Sequence, residues 1–131
     1  NLIVKGVLDP ADAKKIKELG IDAVYVSGHG ARQLDSLPAP ITQLPKIRKA
    51  VGKSYPLIFD TGVRNGEDIV KAYASGANFV MLGRPVLYAL GADGERGLKT
   101  LLNYISKEIR VTLAQIGLGK ISEVSKNNVI T

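Results

Sequence analysis

Apolar residues fall along this chain in two kinds of pattern. Short, nearly unbroken apolar runs occupy residues 2–5, 23–27, 57–60 and 79–83. Runs of that length without alternation suit parallel strands covered on both faces. The segments between them carry helical spacing and helix punctuation. Asp9 precedes Pro10, so the carboxylate is placed to accept from free N–H groups while the proline occupies the first helical position, and Gly20 supplies a left-handed stop. A later helix has Asn65 as its cap, Glu67 and Asp68 in the positive first turn, and Gly76 at its end. The helix between these, near residues 41–51, is less sharply bounded. After Gly94 the residues Leu98, Leu101, Leu102, Ile105, Ile109, Leu113 and Ile116 form one stripe, which predicts a long closing helix. Residues 120–131 are polar; Ser122-Glu123-Val124 is placed either to start a short helix or to lie in a frayed end.

A weak internal repeat supports this alternation. Gly20-Ile21-Asp22-Ala23-Val24 recurs as Gly76-Ala77-Asn78-Phe79-Val80, 56 residues on. That offset spans about two βα units, so the pattern is a βαβα array of the α/β class. Four such units build either an open doubly wound sheet or half of an eight-stranded barrel, and periodicity does not choose between them.

Composition narrows the function classes. At 131 residues the chain has room for a single domain, residues 1–131, with its own core. No apolar run approaches the roughly 20 residues of a membrane helix, so no membrane partner is expected. Without cysteine there is no disulfide, thiolate metal site or cysteine nucleophile, and no metal site is expected. The net charge of +6 suits an anionic ligand, but Lys14, Lys15, Lys17, Lys46 and Lys49 lie on the expected solvent faces of helices. No basic run is interleaved with aromatics, and nucleic acid is not an expected partner. The chain starts within an apolar, β-branched run and lacks an initiator Met, which reads as a cut inside a longer protein.

The residues with chemical potential gather where the strands end. Lys5, Ser27 to His29, Asp60 to Arg64 and Gly83-Arg84 all lie at C-terminal strand ends or in the following loops, where both parallel architectures assemble their sites. The loops Asp60-Thr61-Gly62-Val63-Arg64-Asn65-Gly66 and Gly83-Arg84-Pro85 suit a phosphate: glycines let backbone N–H groups approach, arginines add forked charge, and helix N-termini follow. The bland alternative is that the glycines serve turns and the arginines pair with surface acids. His29 is the sole histidine, flanked by Gly28 and Gly30, and suits proton exchange near neutral pH. Alone it would read as a solvated loop histidine. Arg32, three residues on, changes that, because a guanidinium can hold a substrate carboxylate while the imidazole reaches the neighbouring carbon. Lys5, at the end of a buried strand, needs either an anion or a route to solvent.

These residues together resemble the FMN-dependent 2-hydroxy-acid oxidases and dehydrogenases, the family of glycolate oxidase, lactate oxidase and mandelate dehydrogenase. The resemblance runs from about Ile3 to Ile116 and is carried most specifically by Ser27-Gly28-His29-Gly30-Ala31-Arg32-Gln33-Leu34-Asp35. Val4-Lys5-Gly6-Val7, Asp60-Thr61-Gly62-Val63-Arg64-Asn65-Gly66 and Leu82-Gly83-Arg84-Pro85 follow the family's order and spacing. The resemblance implies the C-terminal half of a (β/α)8 TIM barrel, its fifth to eighth βα units plus a long C-terminal helix. It implies that His29 is the active-site base, that Arg32 together with His29 binds the substrate, and that Lys5 and Ser27 contact the flavin. Asp60, Thr61, Gly62, Val63, Arg64, Gly83 and Arg84 would hold the FMN ribityl phosphate. The implied substrate is a small L-2-hydroxy acid, with lactate and glycolate as first candidates, and the acceptor after FMN is oxygen or another redox partner. A missing N-terminal half-barrel, a homo-oligomer, and a cytoplasmic location with the peroxisome left open complete the expectation, and the isolated chain is expected to be inactive. Two positions depart from the family: Gly28 stands where asparagine is usual, and Thr61 where glycine or serine is common. The competing readings are another FMN-barrel enzyme that shares only the phosphate loops, and a non-catalytic half-barrel that binds phosphate or FMN.

Overall fold

The computed structural model describes residues 1–128, so Val129, Ile130 and Thr131, the end of the polar tail considered above, lie outside the described residues. Strands and helices alternate along the chain: β1 (Ile3–Val7), α1 (Pro10–Glu18), β2 (Ala23–Val26), α2 (Pro40–Val51), β3 (Leu57–Phe59), α3 (Gly66–Ala74), β4 (Phe79–Val80) and α4 (Arg84–Gln115). Single 3-10 turns occupy His29–Ala31, Ile121–Glu123 and Lys126–Asn128, so the segment 122–124 overlaps a turn and starts no α-helix. The four strands form one sheet in the order β1-β2-β3-β4, every pair parallel. Sequential order with a helix after each strand is the α/β pattern the sequence predicts.

Burial shows which strands carry the core. Val24 and Val26 of β2, Leu57 and Phe59 of β3, and Leu44, Ile47 and Val51 of α2 are buried together with Ala13 and Ala72. Even in these central strands cover is complete on one face only, since the alternate residues Tyr25 and Ile58 are half-buried, and in the outer strands Ile3 of β1 and Phe79 of β4 are 46% and 58% exposed. An outer strand has a neighbour on one side only, so its apolar residues lose half of the cover that a central strand receives. Lys5 is consequently not at the end of a buried strand. It lies inside β1, which continues to Val7 through a register shift between Lys5 and Val7, and its side chain is 39% exposed. The other strands end earlier than their apolar runs, because Ser27, Asp60 and residues 81–83 leave the ladder to enter the loops.

The helix boundaries follow their local chemistry. Asp9 Oδ1 accepts from Ala11 N at 2.7 Å and Asp12 N at 3.2 Å, and Asn65 Oδ1 accepts from Asp68 N at 2.9 Å. Gly20 adopts φ +78° just beyond the end of α1. Helix α4 begins at Arg84, fourteen residues before Leu98, the first residue of the expected stripe, and bends where Asp93 (φ −157°) and Gly94 (φ 52°) leave helical geometry. Beyond the bend its stripe buries Ile105 and Leu113, while Leu102 and Ile116 are exposed. Gly66 lets α3 approach this helix closely: a Cβ there would stand 2.5 Å from Ile109 N.

At the N-terminal ends of β3 and β4, Arg48 closes the fold. Its guanidinium donates to the carbonyls of Gly76, Gly52 and Tyr55 and to Asn78 Oδ1, tying the loop before β3 to the loop before β4. Burial lowers its pKa from the ordinary arginine value. No helix among the described residues is long and apolar enough to cross a membrane.

Candidate active site

The opposite ends of the strands frame a cleft of about 630 Å³. Every residue to which the resemblance gives a catalytic, substrate or cofactor role, except Ser27, lines it, joined by Gly30, Met81 and Leu87, while Gly28, Asn65, Gly66 and Pro85 of the same loops do not. Ser27 lies directly beneath, 1% exposed, and is bonded to two of the lining residues. Parallel pairing explains the convergence: equivalent positions on successive strands stand side by side, so four loops that are distant in sequence open on one edge.

Lys5 and Tyr25 are register partners across β1 and β2. The Lys5 ammonium donates to Ser27 Oγ at 3.0 Å, lies 3.7 Å from Asp60 Oδ2, and sits 4.9 Å above the Tyr25 ring. Tyr25 in turn donates its hydroxyl to Asp60 Oδ2 at 2.8 Å. Burial, with the hydrogen bond and charge of Asp60 behind it, raises the Tyr25 pKa well above that of a free phenol. Tyr25 therefore stays a neutral donor, and Lys5 is held by a hydroxyl, a carboxylate and an aromatic face.

The His29 segment is a strained turn. His29, Gly30 and Ala31 have φ of 51°, 67° and 60°, a left-handed run in which two of three residues are not glycine. Such residues persist only where surrounding bonds over-determine them. Here Ala31 N donates to Gly28 O at 2.8 Å and His29 N to Ser27 Oγ at 3.1 Å, while Gly28 N and Gly30 N both donate to Thr61 Oγ1. The imidazole rests against Gly6, whose φ is +91°; a Cβ at that glycine would stand 2.9 Å from His29 Cε1. Gly6 and Tyr25 are site residues that the sequence reading did not single out. Gly6 carries a usable signal, since a glycine inside a strand marks a bulge or a close approach. Tyr25 carries none, because only the register brings it to Lys5.

The cleft is electropositive. Lys5, Arg32, Arg64 and Arg84 line it, with Asp60 as the only carboxylate in the lining. Among the described residues the guanidinium groups of Arg32, Arg64 and Arg84 have no ion pair with any Asp or Glu, whereas Lys5 has one with Asp60. Three cations without partners beside a cleft describe a receptor for an anionic ligand. Cβ atoms built at Gly62 or Gly83 meet nothing within 4 Å, so a side chain at either position would take up space in the cleft.

The two helix starts differ from the expectation that both face an anion. The α3 start is occupied by the chain itself: Gly66 N donates to Glu108 Oε2 at 2.8 Å, Asp68 N to Asn65, and Arg64 N to Asp68 Oδ2 at 2.9 Å. The α4 start, at Gly83, has no side-chain cap. A phosphate entering the cleft would face Arg64, Arg84 and the uncapped α4 start. With its cations, open glycines and volume, the cleft fits FMN, a phosphate-bearing group.

Comparison with known proteins agrees. The model of a family described as FMN-dependent dehydrogenase matches residues 1–131. A peroxisomal (S)-2-hydroxyacid oxidase of Arabidopsis thaliana is 45% identical over 130 residues, covering 99% of this chain and 36% of that protein. An L-lactate oxidase of Roseobacter sp. (strain GAI101) is 44% identical over 124 residues, 95% of this chain and 34% of its own length. Among solved structures, the monotopic membrane protein (S)-mandelate dehydrogenase superposes with a TM-score of 0.93 at 42% identity, covering 98% of this chain and 34% of that one. A lactate oxidase of Pediococcus acidilactici, described as putative, gives 0.91 at 41% identity, with 98% and 37% covered. The chain thus spans about a third of the length of the proteins it matches.

Proposed function

The chain belongs to the FMN-dependent dehydrogenase family, and from that premise we propose that the complete protein oxidises a small L-2-hydroxy acid, lactate or glycolate first, to the 2-keto acid. The observation that carries this reading is the single cleft in which His29 stands among Lys5, Arg32, Arg64 and Arg84. Two anions need holding in such a reaction, a substrate carboxylate and a cofactor phosphate, and the cations divide between them.

Arg32 holds the substrate carboxylate through its forked N–H groups, which sets the 2-carbon against His29. The imidazole, kept in place by the strained turn and by Gly6, takes the proton released by the substrate. Arg64, Arg84 and the open glycines at 62 and 83 hold the phosphate, with Asp60, Thr61 and Val63 shaping that loop. Lys5, fixed by Ser27, Asp60 and Tyr25, stabilises negative charge at the flavin edge of the cleft. Bound FMN supplies the two-electron acceptor that this chain's side chains lack.

In this reading residues 1–131 are one unit, the fifth to eighth βα units of an eight-stranded barrel. The parallel β1-β2-β3-β4 order supports it, as do the exposed Ile3, Phe79 and Met81 at its two edges. The remaining units, which this chain lacks, are the partner that covers those edges. The test is anaerobic: the complete protein is mixed with a panel of 2-hydroxy acids while flavin absorbance and 2-keto acid are followed. Bleaching with at least one small L-2-hydroxy acid is expected, and no bleaching with any of them would remove the proposal.

A further inference from the structure

We propose that the Thr61 hydroxyl is a positioning group for His29 and makes no hydrogen bond to the cofactor. A hydroxyl has one hydrogen to donate and two lone pairs to accept with. At Thr61 all three are engaged: Oγ1 donates to Asp60 Oδ1 at 2.9 Å and accepts from Gly28 N at 3.1 Å and Gly30 N at 3.3 Å. No capacity is left for a ligand. Successive backbone N–H groups in a turn of this kind ordinarily make an anion-binding nest. Here the three in question, at Gly28, His29 and Gly30, are taken by Thr61 and Ser27 Oγ, so the nest is filled from within the chain.

The backbone of Thr61 points the same way. Its φ of 76° lies in the left-handed region, which a β-branched residue occupies only when held there. The three bonds to its hydroxyl are the restraint, and they couple two strained segments, the His29 turn and the start of the loop after β3. Gly28 completes the fit. A Cβ at that position would stand 3.1 Å from Pro40 Cγ, a tight approach, and 3.7 Å from the Thr61 methyl, an ordinary contact, so the absence of a side chain at 28 relieves Pro40 at the start of α2 while the turn lies on Thr61. The two departures from the family pattern, at 28 and 61, are joined directly by the Gly28 N to Thr61 Oγ1 hydrogen bond.

This assignment rests on the role proposed for His29, and the test separates the two. Thr61→Ala, Thr61→Val and Thr61→Ser are compared in the full-length FMN-loaded enzyme, with backbone amide exchange at Gly28 and Gly30 read alongside turnover. In the Ala and Val variants exchange at both amides rises by about tenfold or more, kcat falls by roughly 10- to 100-fold, and the Kd for FMN stays within about twofold. Thr61→Ser, which keeps the hydroxyl, restores both exchange and kcat. If Ala fails to fold, the near-isosteric Val carries the comparison. Unchanged exchange in Ala and Val, or FMN affinity lost with kcat of the loaded enzyme retained, overturns the proposal. A wild-type protein that oxidises no 2-hydroxy acid refutes the enzymatic reading, while the exchange comparison still decides what Thr61 does.

Discussion

Arg48 lies at the end of the sheet away from the cleft, and its removal tests whether stability and chemistry are separated there. Its guanidinium donates to Gly76 O at 2.8 Å, Asn78 Oδ1 at 2.6 Å, Gly52 O at 2.6 Å and Tyr55 O at 2.7 Å. A hydrogen bond to a charged group contributes about 1.5–3 kcal/mol where its acceptor cannot be rehydrated, and much less where water reaches it. The bonds to Gly76 and Tyr55 are part-buried and those to Gly52 and Asn78 exposed. Arg48→Ala therefore costs about 3 kcal/mol, two bonds near the low end of that range. With a urea slope of roughly 2 kcal/mol/M, the unfolding midpoint falls by about 1.5 M. Arg48→Lys recovers less than half, because three hydrogens on one nitrogen do not span the loops before β3 and β4. In the complete protein, FMN affinity and any 2-hydroxy-acid turnover of the folded variant are expected to stay at wild-type values, since Arg48 does not line the cleft. A midpoint for Arg48→Ala within about 0.3 M of wild type, which corresponds to roughly 0.6 kcal/mol, would refute the reasoning.

Other perturbations probe the site and its supports. Gly6→Ala places a methyl 2.9 Å from His29 Cε1 at a φ of +91°, so kcat/KM of the complete enzyme should fall by about 10- to 100-fold with FMN still bound; wild-type kcat/KM would disprove the contact. Asn65→Ala removes the side-chain cap of α3 and should lower stability by about 1 kcal/mol in urea unfolding, with no effect expected at the α1 cap. Tyr25 has a folded pKa raised above the ordinary 10.0, chiefly by burial. Its contribution to stability is fully present below about pH 10 and is lost as pH rises through the raised folded value. The urea midpoint of the wild type should therefore fall more steeply as pH rises above about 10 than that of Tyr25→Phe, and equal slopes would count against the Tyr25–Asp60 bond.

Local chemistry was legible in the sequence wherever the controlling partner lies within a few residues. Asp9 and Asn65 cap the helices they precede, and the glycines at 20 and 76 close them, because each acts on backbone groups two to four positions away. The cleft was legible for a different reason: strand ends in a parallel sheet share one edge whatever the loops between them do. Contacts set by register or by distant chain were not legible. Tyr25 meets Lys5 only through the β1–β2 pairing, and Glu108 reaches Gly66 N from 42 residues away to occupy a helix start that looked open to an anion. The exposure of Ile3 and Phe79 was hidden likewise, since an apolar run does not say whether its strand is central or at an edge. The first turns of α4 escaped notice because the Gly83-Arg84-Pro85 loop signal and the Gly94 bend obscure a continuous helical stripe.

The role of His29 is the centre of the proposed chemistry, and one measurement reaches it directly. His29→Ala in the complete protein is loaded with FMN, its flavin spectrum and Kd are recorded, and anaerobic reduction by the best 2-hydroxy acid substrate is followed beside the wild type. With the imidazole in its proposed role of base and Lys5, Arg64 and Arg84 in theirs of cofactor-binding cations, FMN binding is expected to persist within about twofold while the reduction rate falls by at least about 100-fold. Reduction at the wild-type rate by the His29→Ala variant would contradict it.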